Sequence, residues 1–291
     1  MTVALTLRVY EGVILASDSA TTLMAPLPDG TTPVVNVYNN ANKVFNLYRG
    51  CPIGAMTWGH GFIGHSSISM LMKDVRTDYV SGALAFNPDK FQVVDVAEQV
   101  KKFVFEDRYL PTFQETSKPE IGLVVAGISS DRTIGEQYSI IAGPDGVVGP
   151  TPLTTEETSS ATWFGQIEAI TRLILGFSPQ LLPLLQSEFG VSEQLLAEKL
   201  PVLRQNLNPN IITDTMPLQD AIDLAHFLVE VAVRYSQYTP GATVVGGEIE
   251  VAAMSKHEGF KWISRKHYYE EALNPHHLLP TRHKEASDGP G

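Results

Sequence analysis

Two apolar runs near the start of the chain, residues 3–9 and 13–19, are separated only by Tyr10-Glu11-Gly12. That spacing reads as a β-hairpin. Both of its faces carry apolar side chains, as expected of a sheet covered on each side and not of one half open to water. This is the strongest constraint on the fold: other layers must lie above and below the hairpin, so the chain is expected to form a layered α/β sandwich. The loop length decides which side chains share a face. Gly12 at the last loop position favours a three-residue loop, which pairs Val9 with Val13, Ala4 with Asp18 and Thr2 with Ala20. Thr2, Ala4 and Asp18 then share one face, and Val3, Leu5, Leu7 and Val9 fill the other. A two-residue loop would instead put Asp18 on the face opposite that of Thr2.

Residues 24–42, with Pro26, Pro28, Pro33 and Asp29-Gly30, read as an irregular excursion. A second hairpin is expected at 43–48 and 53–56. Gly59, Gly61 and Gly64 then turn into a helix over 65–80, and a further helix over 93–109 aligns Val96, Val100, Phe103 and Val104. Strands are expected at 121–128 and 137–142, helices at 165–176, 179–188, 192–206 and 217–236, and closing strands at 243–254 and 258–263. Neither an internal repeat nor a linker divides the chain, so residues 1–265 read as one domain with a helical elaboration at about 177–216. Residues 266–291 read as an irregular, mobile tail. The apolar face Ile68, Leu71, Met72 and Val75 is either core or a surface covered by a neighbouring subunit.

Composition narrows the function. In 291 residues, 32 acidic against 21 basic side chains leave a net charge of −11, which argues against a nucleic-acid surface or attraction to anionic lipid. A lone cysteine, Cys51, cannot form an internal disulfide, which fits a reducing compartment. With no apolar run near the ~20 residues that cross a bilayer, and no basic-then-apolar leader, a cytoplasmic protein is expected. His267, His276, His277 and His283 have no carboxylate or thiol motif beside them, so no metal is expected. The absence of a phosphate-cradling glycine-lysine loop argues against a nucleotide site, and no cofactor is expected.

Four pieces carry chemistry: Met1-Thr2-Val3, Gly12 through Ser19, Lys43-Val44-Phe45 and Met56-Thr57-Trp58-Gly59. In this order and spacing they resemble the proteasome β-subunit family and its bacterial relatives, which are N-terminal-nucleophile hydrolases. The resemblance is closest over 2–80 and looser over 120–175 and 220–263. It implies an α+β fold, a four-layer αββα sandwich with extra helices in the C-terminal half. It also implies a threonine peptidase or amide hydrolase acting on peptide or protein substrates within a homo-oligomeric ring. A partner ATPase, if any, is not identified by it.

By the same resemblance, Thr2 becomes the nucleophile once Met1 is removed, its own α-amine serving as base. Such an amine titrates near 7.7–8.0, about two and a half units below a lysine, so far more of it is neutral at cellular pH. Lys43 would tune that amine, Asp18 would hold Lys43, a backbone N–H of Gly59 or Trp58 would meet the oxyanion, and Met56 would border the substrate pocket. Ser236 and Thr239 fall where the family carries an aspartate and a serine that orient the amine, and Ala20 where it often carries an arginine. The lost charge at Ser236 leaves an alternative open: a proteasome-like shell or assembly protein with a decayed site. Asp18 and Lys43 also read as a structural ion pair, because a charge in a covered sheet needs a partner.

Overall fold

The structure is a computed structural model, and it describes residues 2–25, 27, 32–114, 118–207 and 209–266. Strands β1 (Val3–Val9), β2 (Gly12–Ser17), β3 (Thr21–Met24), β4 (Val34–Tyr38), β5 (Val44–Asn46), β6 (Ile53–Gly59), β7 (Phe62–Ile63) and β8 (Ser66–Ser67) lead into helix α1 (Ile68–Ser81). Helix α2 (Val93–Lys101) runs on as a π-helical stretch, Lys102–Tyr109, and a short α3 (Leu110–Thr112). Next come β9 (Ile121–Gly127), β10 (Glu136–Gly143), β11 (Gly146–Pro152) and β12 (Ser160–Gly165). Helices α4 (Glu168–Leu175), α5 (Leu181–Ser187), α6 (Glu193–Leu207) and α7 (Leu218–Tyr238) follow, and the described chain closes on β13 (Glu250–Ser255) and β14 (Gly259–Ser264).

The fold is mixed α/β with antiparallel sheets. One five-stranded sheet has the order β12-β1-β2-β13-β14 and the other β11-β10-β9-β6-β5. Three buried clusters show how the layers meet. Ala4, Val13 and Leu15 of the first sheet pack with Val44, Met56 and Val124 of the second. Val3, Leu5 and Leu7, on the opposite face of β1, pack with Ile170 of α4 and Ala225, Leu228 and Val229 of α7. Ile53, Ala55, Leu123 and Val125 pack with α1, α2 and the π-helical stretch. Alternation along β1 thus sends odd positions to helices and even positions to the facing sheet, as a strand covered on both faces must.

Several expectations need correction. The first hairpin has a two-residue loop, Tyr10-Glu11, with Val9 opposite Gly12 and Ala4 opposite Ser17. Gly12 is not there to supply a left-handed turn residue: a Cβ on it would lie 2.3 Å from the carbonyl oxygen of Met254. It lets β13 approach. The β3–β4 hairpin runs into the excursion at 24–42, and four further strands went unread, β7, β8, β11 and β12, the last pairing with β1 along its whole length. Ile68, Leu71, Met72 and Val75 are core residues of this chain, so that face gives no argument for a neighbouring subunit. Lys266, placed at the start of the tail, is buried; the rest of the tail with its four histidines lies outside the described residues. No helix among the described residues is long and apolar enough to cross a membrane.

Candidate active site

Thr2 sits at the mouth of β1, 5% exposed, on the wall of a cavity of about 630 Å³ that Lys43, Thr57, Gly59 and His60 also line. Three local devices hold it. Its carbonyl oxygen accepts the N–H of Gln166 at 2.8 Å, which ties it to the end of β12. Gly165 has φ +79°, and a Cβ there would stand 1.9 Å from that same oxygen, so glycine is required for both the turn and the approach. On the next residue, the Val3 N–H donates to Asp18 Oδ1 at 3.0 Å.

Asp18 is fully buried, and its carboxylate gathers four donors from four segments. Oδ1 accepts from Val3 N–H at 3.0 Å and from Lys43 Nζ at 2.6 Å. Oδ2 accepts from Ala20 N–H at 3.1 Å and Gly246 N–H at 3.0 Å. Burial pulls the Lys43 ammonium below the ordinary lysine value, while the attraction of Asp18, and more weakly of Glu250, works against that. The pair joins β1, the end of β2, the start of β5 and the approach to β13, and it places a cation on the Thr2 cavity.

A second buried pair backs the first. Glu250 Oε2 accepts the Lys43 N–H at 3.1 Å, and its Oε1 lies 3.8 Å from Lys266 Nζ. Lys266 Nζ also donates to the carbonyl oxygen of Ala41. Glu250 and Lys266 therefore clamp the 41–43 segment that carries Lys43. Both were missed from sequence, although a glutamate on the otherwise apolar run Glu250-Val251-Ala252-Ala253-Met254 was a readable signal, since a buried carboxylate demands partners.

Gly59 closes β6 with φ +85°, and a Cβ on it would lie 2.4 Å from the carbonyl oxygen of Glu120. Successive N–H groups along a strand alternate between its edges. The Thr57 N–H donates to Lys43 O at 2.9 Å, on the β5 side, and the His60 N–H to Glu120 O at 2.8 Å, on the β9 side. The Gly59 N–H, two residues from Thr57, thus points to the β5 edge beyond the start of β5, where the cavity lies; the Trp58 N–H points to the other edge. Trp58 instead stacks its ring on Phe164 at 4.0 Å between centroids. Burial holds the His60 imidazole below the usual histidine value.

Two assignments fall elsewhere. Met56 is fully buried in the core between the sheets, with Ala4 and Val44, and is not on the cavity wall; its neighbour Thr57 is. The one-residue error inverts the face, because strand side chains alternate. Ser236 belongs to the last turn of α7 and Thr239 caps that helix, its hydroxyl donating to Tyr235 O at 2.9 Å. Neither lines the Thr2 cavity. The chain returns to the site seven residues after Thr239, at Gly246, whose N–H reaches Asp18. Among the described residues, no group of three or more His, Cys, Asp or Glu side chains is arranged to hold a metal.

No protein-family model matches the chain, and no curated protein is significantly similar to it.

Proposed function

We propose that this chain is an amide hydrolase of the threonine-nucleophile type, acting on peptides or proteins. The observation that carries the reading is the cavity that joins Thr2, Lys43 and Gly59, with Asp18 buried behind Lys43. Layer order supports the finer fold reading, a four-layer αββα sandwich of the N-terminal-nucleophile hydrolase type, since helices cover the outer face of each sheet. With Met1 removed, the neutral α-amine of Thr2 takes the proton of its own hydroxyl as Oγ1 attacks the amide carbon. The oxyanion that forms receives the Gly59 N–H. Collapse breaks the C–N bond, the departing nitrogen takes the proton from the ammonium, and an ester remains on Thr2 until water, deprotonated by the same amine, attacks its carbonyl carbon; the C–Oγ1 bond then breaks, Oγ1 takes that proton back from the ammonium and the acid leaves. The Lys43 cation lowers the basicity of that amine. A ring-shaped homo-oligomer in the cytoplasm belongs to this reading.

A second reading, a shell or assembly protein with a decayed site, is favoured by one observation: Ser236 and Thr239 do not line the Thr2 cavity. Thr2→Ala separates the two. Under the hydrolase reading it abolishes turnover on a broad peptide and amide panel and removes the mass adduct left by a threonine-directed inhibitor, while the thermal transition persists; Thr2→Ser keeps part of the rate. Intact mass shows whether Met1 has left. Equal inactivity of wild type and Thr2→Ala, with no adduct on either, overturns the hydrolase in favour of the shell.

A further inference from the structure

Although the chain carries a net charge of −11, three of its cations, Lys73, Arg76 and Arg265, gather in a cleft that adjoins the Thr2 cavity, with Arg49 acting on Arg76 from nearby. Lys73 and Arg76 are three residues apart on α1 and so share a helix edge. Both line a small cleft of about 50 Å³ together with Arg265, which follows β14. No carboxylate lies within ion-pair distance of Lys73, Arg76, Arg265 or the nearby Arg49 among the described residues. The one carboxylate on the cleft wall among the described residues, Glu250, is already committed to the Lys43 N–H and to Lys266. Arg265 rests its guanidinium over the Trp262 ring at 4.8 Å, which fixes the group without neutralising it.

Burial and the two neighbouring arginines, Arg49 and Arg265, all act to lower the Arg76 value. Arg76 is half-buried while Lys73, Arg49 and Arg265 are exposed, and like charges crowded against a half-buried one are unfavourable unless an anion joins them. The cleft also opens onto the site: Asn42, Ser69 and Lys73 line both it and the Thr2 cavity. A water needs roughly 10–15 Å³ of such space, so the cleft has room for a carboxylate but not for a whole residue. Among the described residues, no aspartate or glutamate lines the Thr2 cavity itself, so none of them there repels an acidic substrate.

We propose that the cleft walled by Lys73, Arg76 and Arg265 receives a carboxylate of the substrate, so that the preferred substrates carry an aspartate or glutamate close to the amide presented to Thr2. Arginine suits this role because its planar fork matches a carboxylate with two parallel hydrogen bonds. The inference rests on the Thr2 cavity being the substrate site, and equilibrium binding tests it without requiring turnover. Fluorescein-labelled alanine pentapeptides carrying one glutamate at each position in turn, with their glutamine counterparts, are titrated against the full chain bearing Thr2→Ala.

At least one glutamate peptide is expected to bind about tenfold tighter than its glutamine partner, the scale of one hydrogen-bonded charge pair. Arg76→Gln and Arg265→Gln should each reduce that preference while leaving the affinity of the glutamine peptide unchanged, a split that a merely structural role would not produce. The proposal is overturned if no glutamate peptide outbinds its partner, or if the preference survives both substitutions. It is likewise overturned if inorganic phosphate binds in an Arg76-dependent way while the peptides show no preference, which would mark a site for a free anion. Charge-selective binding by a wild type that cleaves none of these peptides would remove the hydrolase and leave the cleft; unselective cleavage would do the reverse.

Discussion

Asp18→Asn is the sharpest test of how the site is held. Both oxygens of the native carboxylate meet only donors, Val3 N–H and Lys43 Nζ on Oδ1, Ala20 and Gly246 N–H on Oδ2. Whichever way an asparagine turned, its NH₂ would face two donors, so two hydrogen bonds to a charged group, each worth about 1.5–3 kcal/mol, would be lost. Removing one partner of a buried ion pair costs about 3–5 kcal/mol, and we expect about 4 kcal/mol here. Lys43→Met is expected nearer 3 kcal/mol, because methionine fills the space and Asp18 keeps its three backbone donors. Urea unfolding at pH 7, with two spectroscopic probes to check two-state behaviour, measures both. The pH response supplies a second check. In Asp18→Asn the buried lysine loses the attraction that opposed its burial, so its folded value drops further below the ~10.4 of the unfolded chain. The unfolded chain then binds more protons, stability rises with pH up to that value, and the deficit of Asp18→Asn should narrow between pH 7 and pH 9. A cost for Lys43→Met above that of Asp18→Asn, or a deficit that widens with pH, would refute this account of the pair.

Three more substitutions separate positions that are adjacent or that join at Thr2. Met56→Ala should cost about 2–5 kcal/mol as a core truncation and leave the ranking of substrates unchanged, whereas Thr57→Val, which deletes the buried hydroxyl that donates to Gly122 O at 3.0 Å, should cost about 1 kcal/mol and re-rank substrates; unfolding curves paired with KM across a peptide panel decide, and a re-ranking by Met56→Ala alone would restore that residue to the pocket. Gly165→Ala forces a side chain onto the Thr2 carbonyl in a left-handed conformation, costing about 1–3 kcal/mol for the conformation alone, and should slow inhibitor adduct formation at Thr2 more than tenfold; an unchanged adduct rate, followed by intact mass, would show that Gly165 does not position Thr2.

Much of the frame could be read from alternation and composition, and the failures share a cause. Val3, Leu5, Leu7 and Val9 were readable as one buried face because a covered strand tolerates nothing else there, and Asp18 and Lys43 as partners because neither charge could be buried alone. The strands that went unread, β3, β4, β7, β8, β11 and β12, sit at sheet edges or in separate two-stranded hairpins, half exposed and mixed with proline, threonine and serine, so no strict pattern is imposed on them. Gly12 was ambiguous in a different way, since a glycine that admits a neighbouring backbone is indistinguishable in sequence from one that makes a turn.

The candidate site lies almost wholly where such patterns stop. Thr2 precedes β1, Asp18 follows β2, Lys43 precedes β5, Gly59 and Gly165 close β6 and β12, and Gly246 comes before β13. Within a strand, a residue's face follows from its neighbours by counting; past the end it depends on which backbone donor or carbonyl is within reach. Counting therefore placed Asp18 wrongly by register yet correctly by partner, because its carboxylate curls back to the Val3 N–H instead of standing on a strand face. It failed outright for Ser236 and Thr239, since α7 keeps its helical hydrogen bonds through Thr239 and the chain needs several more residues to come back. Residues at strand ends are free to converge from distant parts of a chain, which is why six segments can meet around Thr2, and the same freedom is what hides them from a periodic reading.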